Sequence, residues 1–162
     1  MIKNLILVLF VSFRLLYSVD TISIIATANV HSETDPCGWK KKPLGGLARK
    51  ATILEQYNDE NIYVVDAGNL FFSSESLEDG IGREVALINA NIILDSFNKM
   101  GCTVFSPGVN DFAAGKDFLL SIEKKSDFPF ISSNIYDLNN NSKYPTCVSV
   151  TCAVLVWRVL VC

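Results

Sequence analysis

Four short, β-rich apolar runs constrain this chain most: Thr21–Thr27, Ile62–Val65, Thr103–Phe105 and Phe128–Ser132. The first two read as buried strands, because nearly every position is apolar or β-branched. Helical segments separate the runs. Gly45–Tyr57 puts Leu47, Ala51, Leu54 and, less strictly, Ala48 on one face. Glu84–Met100 repeats Val85, Ile88, Ile92 or Ile93, Leu94 and Phe97 at helical spacing, and Gly101 supplies a C-terminal stop. Gly115–Lys124 reads as a third helix. The order β-α-β-α-β-α-β predicts an α/β layered domain. No internal repeat is present.

Composition agrees with a packed domain. Apolar residues make up 49% of the 162 residues and charged residues 19%, too apolar for a disordered chain. The formal net charge is −3 and there is no basic block, so a nucleic-acid polymer is not an expected partner.

The first 18 residues read as a signal peptide. Lys3 gives a positive start, Leu5–Phe13 an apolar run, and Ser18 a small residue at a cleavage point. Arg14 interrupts the stretch Leu5–Tyr17, which is shorter than the roughly 20 residues that span a bilayer. The expectation is an exported protein, periplasmic or extracellular, with no stable membrane span; an uncleaved anchor is the alternative. Five cysteines, Cys37, Cys102, Cys147, Cys152 and Cys162, leave at least one unpaired or intermolecular in an exported chain. With no histidine nearby, Cys147 and Cys152 read as ordinary thiols rather than zinc ligands.

The domain is expected over residues 19–145. Residues 146–162 change character, being almost all Val, Leu, Ala and Cys, with Trp157 and Arg158. They fit either one more strand pair or an artefactual end such as a reading-frame shift after Pro145, and the composition favours the second.

Polar loops leave the predicted strand ends: Thr27-Ala28-Asn29-Val30-His31, Asp66-Ala67-Gly68-Asn69-Leu70-Phe71 and Pro107-Gly108-Val109-Asn110-Asp111-Phe112. Open α/β sheets bind ligands on such loops. Asp66 reads as the cap of the turn after its strand. Lys40, Lys41 and Lys42 read as a solvated face.

With Pro43-Leu44-Gly45-Gly46-Leu47-Ala48-Arg49-Lys50-Ala51, Phe128-Pro129 and Ser133-Asn134-Ile135, these segments resemble the N-terminal part of the 5′-nucleotidase branch of the calcineurin-like metallophosphoesterases. The resemblance runs from about Thr21 to Pro145. It implies an incomplete metallophosphoesterase-like sandwich. It also implies a family chemistry in which two divalent metals (zinc, manganese or similar), about 3.5–4 Å apart, clamp a phosphate for attack by metal-bound hydroxide.

The resemblance assigns family places to particular residues. Asn29 and His31 stand where the family has Asp-x-His, both metal ligands. Asn69 stands for the carboxylate that bridges the metals, and a neutral amide offsets none of their mutual repulsion. Gly108-Val109-Asn110-Asp111-Phe112-Ala113 stands where the family has Gly-Asn-His-Glu-Phe-Asp. Asn110 thus takes the place of the catalytic histidine and carries no transferable proton. Shifting by one residue puts Asn110 at the metal position and Asp111 at the histidine position. The family needs later histidines too, and His31 is the only histidine in the chain.

The expectation is therefore a non-catalytic binding or interaction domain. It would have no metal cofactor of its own and a phosphate-bearing or other polar small molecule as ligand. An active metal-dependent 5′-nucleotidase or phosphoesterase is the alternative. An incomplete product without independent function is the third reading.

Overall fold

The computed structural model describes residues 22–36, 38, 44–57, 62–151 and 158–161. The expected signal peptide, Cys37, Lys40 to Lys42, Cys152 and Cys162 lie outside these. Three parallel strands form the central sheet: β1 (Ser23–Thr27), β2 (Ile62–Asp66) and β3 (Cys102–Phe105), with β2 in the middle. Helix α1 (Leu47–Gln56) joins β1 to β2, and α2 (Ile81–Lys99) joins β2 to β3. A 3₁₀ turn at Val109–Phe112 and helix α3 (Lys116–Lys125) follow. The α/β class expected from the alternation is the one observed.

Register brings the strand ends level. Thr27 pairs with Asp66, and Asp66 with Phe105, so all three strands deliver their following loops to one edge. The β2–β3 ladder shifts between Val64 and Val65. There the Val64 N–H donates to the Thr103 hydroxyl at 3.1 Å, so a side chain completes the irregular position.

The fourth expected strand, Phe128–Ser132, is reduced to one parallel bridge between Phe105 and Phe130. Phe105 N–H donates to Pro129 O at 3.1 Å and Ile131 N–H to Phe105 O at 2.9 Å. Pro129 has no N–H to give, which limits how far such a ladder extends.

The core gathers where these elements meet. Phe71, Phe97, Phe105, Ile93, Leu119 and Ile122 are fully buried. Phe105 is its centre: its ring packs edge-on against Phe71 at 5.4 Å, Phe128 at 6.4 Å and Phe130 at 4.8 Å between centroids.

Two expectations are corrected here. Strand β1 is not buried throughout: Ile24 is 57% exposed, because β1 lies at the sheet edge and one of its faces is uncovered. Helix α2 turns only part of the expected series inward: Ile93, Leu94 and Phe97. Ala90, Ile93, Leu94 and Phe97 are buried, whereas Val85, Ile88 and Ile92 are exposed. The helix carries two overlapping apolar series, and the one containing the smaller Ala86 and Ala90 lies against the core. In α1, Leu47, Ala51 and Leu54 are half-buried and Ala48 is exposed.

Within residues 146–162, β4 (Val148–Thr151) and β5 (Arg158–Val161) pair antiparallel as a separate two-stranded sheet. Among the described residues no helix is long and apolar enough to cross a membrane.

Two outcomes follow from the packing. Phe105→Ala should cost about 3–5 kcal/mol of unfolding free energy in urea titrations; a loss below about 1 kcal/mol would show that Phe105 is not the centre of the core. Burial pushes the Cys102 thiol up to about 12. At about pH 9 iodoacetamide should therefore label Cys147 in folded protein and reach Cys102 only after denaturation, read by peptide mapping. Comparable native labelling of both would contradict this.

Candidate functional site

The loop after β2 starts with a polar chain rooted beneath the sheet. Asp66 is buried, and its carboxylate accepts from the Gly68 N–H at 3.0 Å, closing the turn after the strand. It also accepts from the Thr27 hydroxyl at 2.5 Å, and Thr27 in turn accepts from Lys50 Nζ at 2.8 Å. Burial pulls the Lys50 amine below its ordinary range, with the Asp66 charge opposing. Burial likewise pushes the Asp66 carboxyl up, against its Thr27 and Gly68 bonds and the Lys50 charge. Lys50 Nζ also sits 3.9 Å from the centroid of the Phe97 ring, a cation–π contact. This chain fastens α1 to the ends of β1 and β2.

The loops themselves approach backbone to backbone. Gly68 has φ 96°, and a Cβ there would meet Gly108 and the Ser106 carbonyl oxygen, the latter at 2.6 Å. A Cβ on Gly108 would meet the Asn69 amide, its backbone N at 2.6 Å. Asn29 N–H donates to Gly68 O at 2.8 Å, and His31 N–H to Asn69 O at 2.9 Å. Asn29, His31 and Asn69 all have left-handed backbones, with φ of 56°, 54° and 52°. Asparagine tolerates that conformation better than most residues.

All four sequence-predicted residues meet in one hydrogen-bonded series. Asn69 Nδ2 donates to Asn29 Oδ1 at 2.9 Å. The Asn110 N–H donates to Asn69 Oδ1 at 3.0 Å. Asn110 Nδ2 lies 3.4 Å from His31 Nδ1 and 3.4 Å from Phe72 O. Val109 is 59% exposed, outside this series.

The motifs left one essential residue unassigned to this task. Asp111 is fully buried and accepts four backbone N–H bonds: Leu70 and Phe71 on Oδ1 at 2.8 and 2.9 Å, Asn69 and Gly108 on Oδ2 at 2.8 Å each. Burial pushes this carboxyl above its ordinary range, and the four N–H groups pull it back. Every partner is a donor, which a carboxylate accepts and a protonated oxygen would oppose. Asp111 therefore holds the β2 and β3 loops together and offers no free oxygen for the reaction chemistry of the histidine place. Lys50 and Thr27 were likewise not singled out. The only signal for them was their position next to the Gly-Gly-Leu-Ala-Arg element and at the end of the first strand.

Beside the series lies a cavity of about 490 Å³ between β1 and α1, walled by Ile25, Leu47, Ile53 and Leu54, with Thr27, Asn29 and Lys50 also lining it. The donor set does not fit a pair of divalent metals. Among the described residues no three His, Cys, Asp or Glu side chains come together as a metal site. Among the same residues no buried side-chain nitrogen or oxygen lacks a hydrogen-bond partner.

Asp111→Asn should destabilise the fold by about 3 kcal/mol, because one amide NH₂ would face two backbone donors. Urea unfolding measures this, and a loss below about 1 kcal/mol would remove Asp111 from its proposed place as the loop tie.

No protein-family model matches the chain. Its sequence is 24% identical to the trifunctional nucleotide phosphoesterase protein YfkN of Bacillus subtilis (strain 168), over 76% of this chain and 9% of that protein. The crystal structure of the calcineurin-like phosphoesterase YfkN from Bacillus subtilis superposes with a TM-score of 0.65 and 22% identity, over 86% of this chain and 46% of that one. Haemophilus influenzae NAD nucleotidase (NadN) superposes with a TM-score of 0.66 and 18% identity, over 86% of this chain and 25% of that one. The chain thus spans less than half the length of each of these relatives. Its strands, helices and strand-end loops are those of the calcineurin-like phosphoesterase fold, in the part its motifs indicated, and its relatives are nucleotidases and phosphoesterases.

Proposed function

We propose that this chain is an exported phosphoesterase-fold domain that binds a phosphate-bearing or similarly polar small molecule without hydrolysing it. One observation carries the reading: the Asn69 side chain, at the place of the bridging carboxylate, is spent on Asn29 and Asn110. A neutral amide there cannot hold two dications together. Asn110, at the place of the catalytic histidine, cannot move a proton, so general acid–base help is missing as well.

Support for ligand binding is physical. The loops lie at the ends of parallel strands, where α/β sheets place their ligands. Asn29 and Lys50 line the adjoining cavity, giving an amide and a cation at the edge of an apolar pocket. The relatives named above act on nucleotides according to their names, which makes a nucleotide monophosphate the first ligand to try. Export rests on the apolar N-terminal stretch and its small-residue stop.

The test is turnover and binding on the same purified sample. With an aryl phosphate or 5′-AMP and added manganese or zinc, turnover should stay at the buffer rate, while calorimetry detects saturable 5′-AMP binding. Asn69→Asp should also stay inactive, since Val109, Asn110 and Ala113 remain. Metal-dependent turnover by the native chain would establish the alternative, an active phosphoesterase. Absence of both turnover and binding would refute the ligand-binding reading.

A further inference from the structure

The orientation of each amide in the loop cluster is fixed by backbone groups that have a single polarity. The Asn110 N–H can only donate, so the Asn69 atom that receives it is Oδ1. Asn69 therefore turns Nδ2 toward Asn29, whose facing atom must be the acceptor Oδ1. Phe72 O can only accept, so Asn110 turns Nδ2 toward it. That same Nδ2 faces His31 Nδ1, which must then be an acceptor. An imidazole accepting at Nδ1 in its neutral form carries its proton on Nε2.

The consequence reaches the metal question directly. A histidine ligates a metal through a ring nitrogen with a free lone pair. Here the Nδ1 lone pair is engaged by Asn110, and Nε2 is protonated. Asn110 is itself buried, so this contact is held by the fold rather than by a loose surface side chain. The Asn69 amide joins the loops after β1 and β3.

We infer that the Asn29–Asn69–Asn110–His31 series is a metal-independent clasp, in which amides tie the three loops and His31 is held as a hydrogen-bonding group closed to divalent cations. This does not depend on the ligand-binding proposal: a protein that binds no nucleotide could still have this clasp.

Because His31 is the chain's only histidine, its ring gives a single set of nitrogen resonances. Long-range ¹H–¹⁵N spectra of the ¹⁵N-labelled full-length chain should show the proton on Nε2, with Nδ1 as acceptor. The pattern should be unchanged by EDTA or by a several-fold excess of zinc. A proton on Nδ1, or a saturable zinc-induced change at either ring nitrogen, would overturn the inference. As a second measurement, Asn69→Gly removes both the donor to Asn29 and the acceptor for the Asn110 N–H while keeping a residue that tolerates the left-handed backbone. Its Tm in EDTA should fall by about 3–6 °C. A Tm at or above that of the native chain would also overturn the clasp.

Discussion

The buried carboxylate of Asp111 is the interaction on which the loop cluster depends. Four backbone N–H groups from two loops converge on its two oxygens. Left without it, the Leu70 and Phe71 N–H groups would be buried with nothing to accept them, each at a cost of roughly 1–3 kcal/mol, and the half-buried Asn69 and Gly108 N–H groups would lose their acceptor. The Gly68–Gly108 approach needs both residues to lack a Cβ, and Asp111 accepts the Asn69 and Gly108 N–H groups that it brings together. Asn69 receives its position from the same tie: its backbone N–H is one of the four.

Above that tie the network is neutral. Asn29, Asn69 and Asn110 satisfy one another and the backbone, with no formal charge among them. Two carboxylates in the places of Asn29 and Asn69 would face each other across 2.9 Å, a geometry that repels strongly unless a cation intervenes. The amides need no intervening ion. They also suit the left-handed backbone at Asn29 and Asn69, so one residue type answers two local demands.

Much of this fold was legible in the sequence because alternation and strand-end loops are strong signals. Strands β1 to β3 and helices α1 to α3 lie where the sequence pattern placed them, to within a few residues. The apolar series of α2 divides between core and surface, Ile93, Leu94 and Phe97 lying inward and Val85, Ile88 and Ile92 outward, because two overlapping series repeat equally regularly. Periodicity counts apolar positions but does not say which stripe the sheet can approach closely. The fourth run kept its place beside β3, yet Pro129 limits it to one bridge. In the site, motif order brought Asn29, His31, Asn69 and Asn110 together on paper, and they meet in space. The tie at Asp111 was hidden because its partners are backbone groups, which no side-chain pattern reveals. The Lys50–Thr27–Asp66 chain was hidden because its members lie on three elements far apart in sequence.

The acids that are present and the acids that are replaced differ in one physical respect. Asp66 and Asp111 are buried carboxylates whose oxygens are met by protein donors: Gly68 and Thr27 for the first, four backbone N–H groups for the second. Asp111 could be exchanged for an amide only by setting donor against donor, whereas at Asp66 the Thr27 hydroxyl could turn to accept. At Asn69 the reverse holds. The groups around Asn69 supply one donor, the Asn110 N–H, and one acceptor, Asn29 Oδ1, which an amide bridges and a carboxylate does not. The fold therefore demands charge where the backbone supplies the compensating N–H groups. Where only a bound cation could compensate, it has neutral side chains that compensate one another. The strand-end loops are thus held by backbone-bound carboxylates and paired amides.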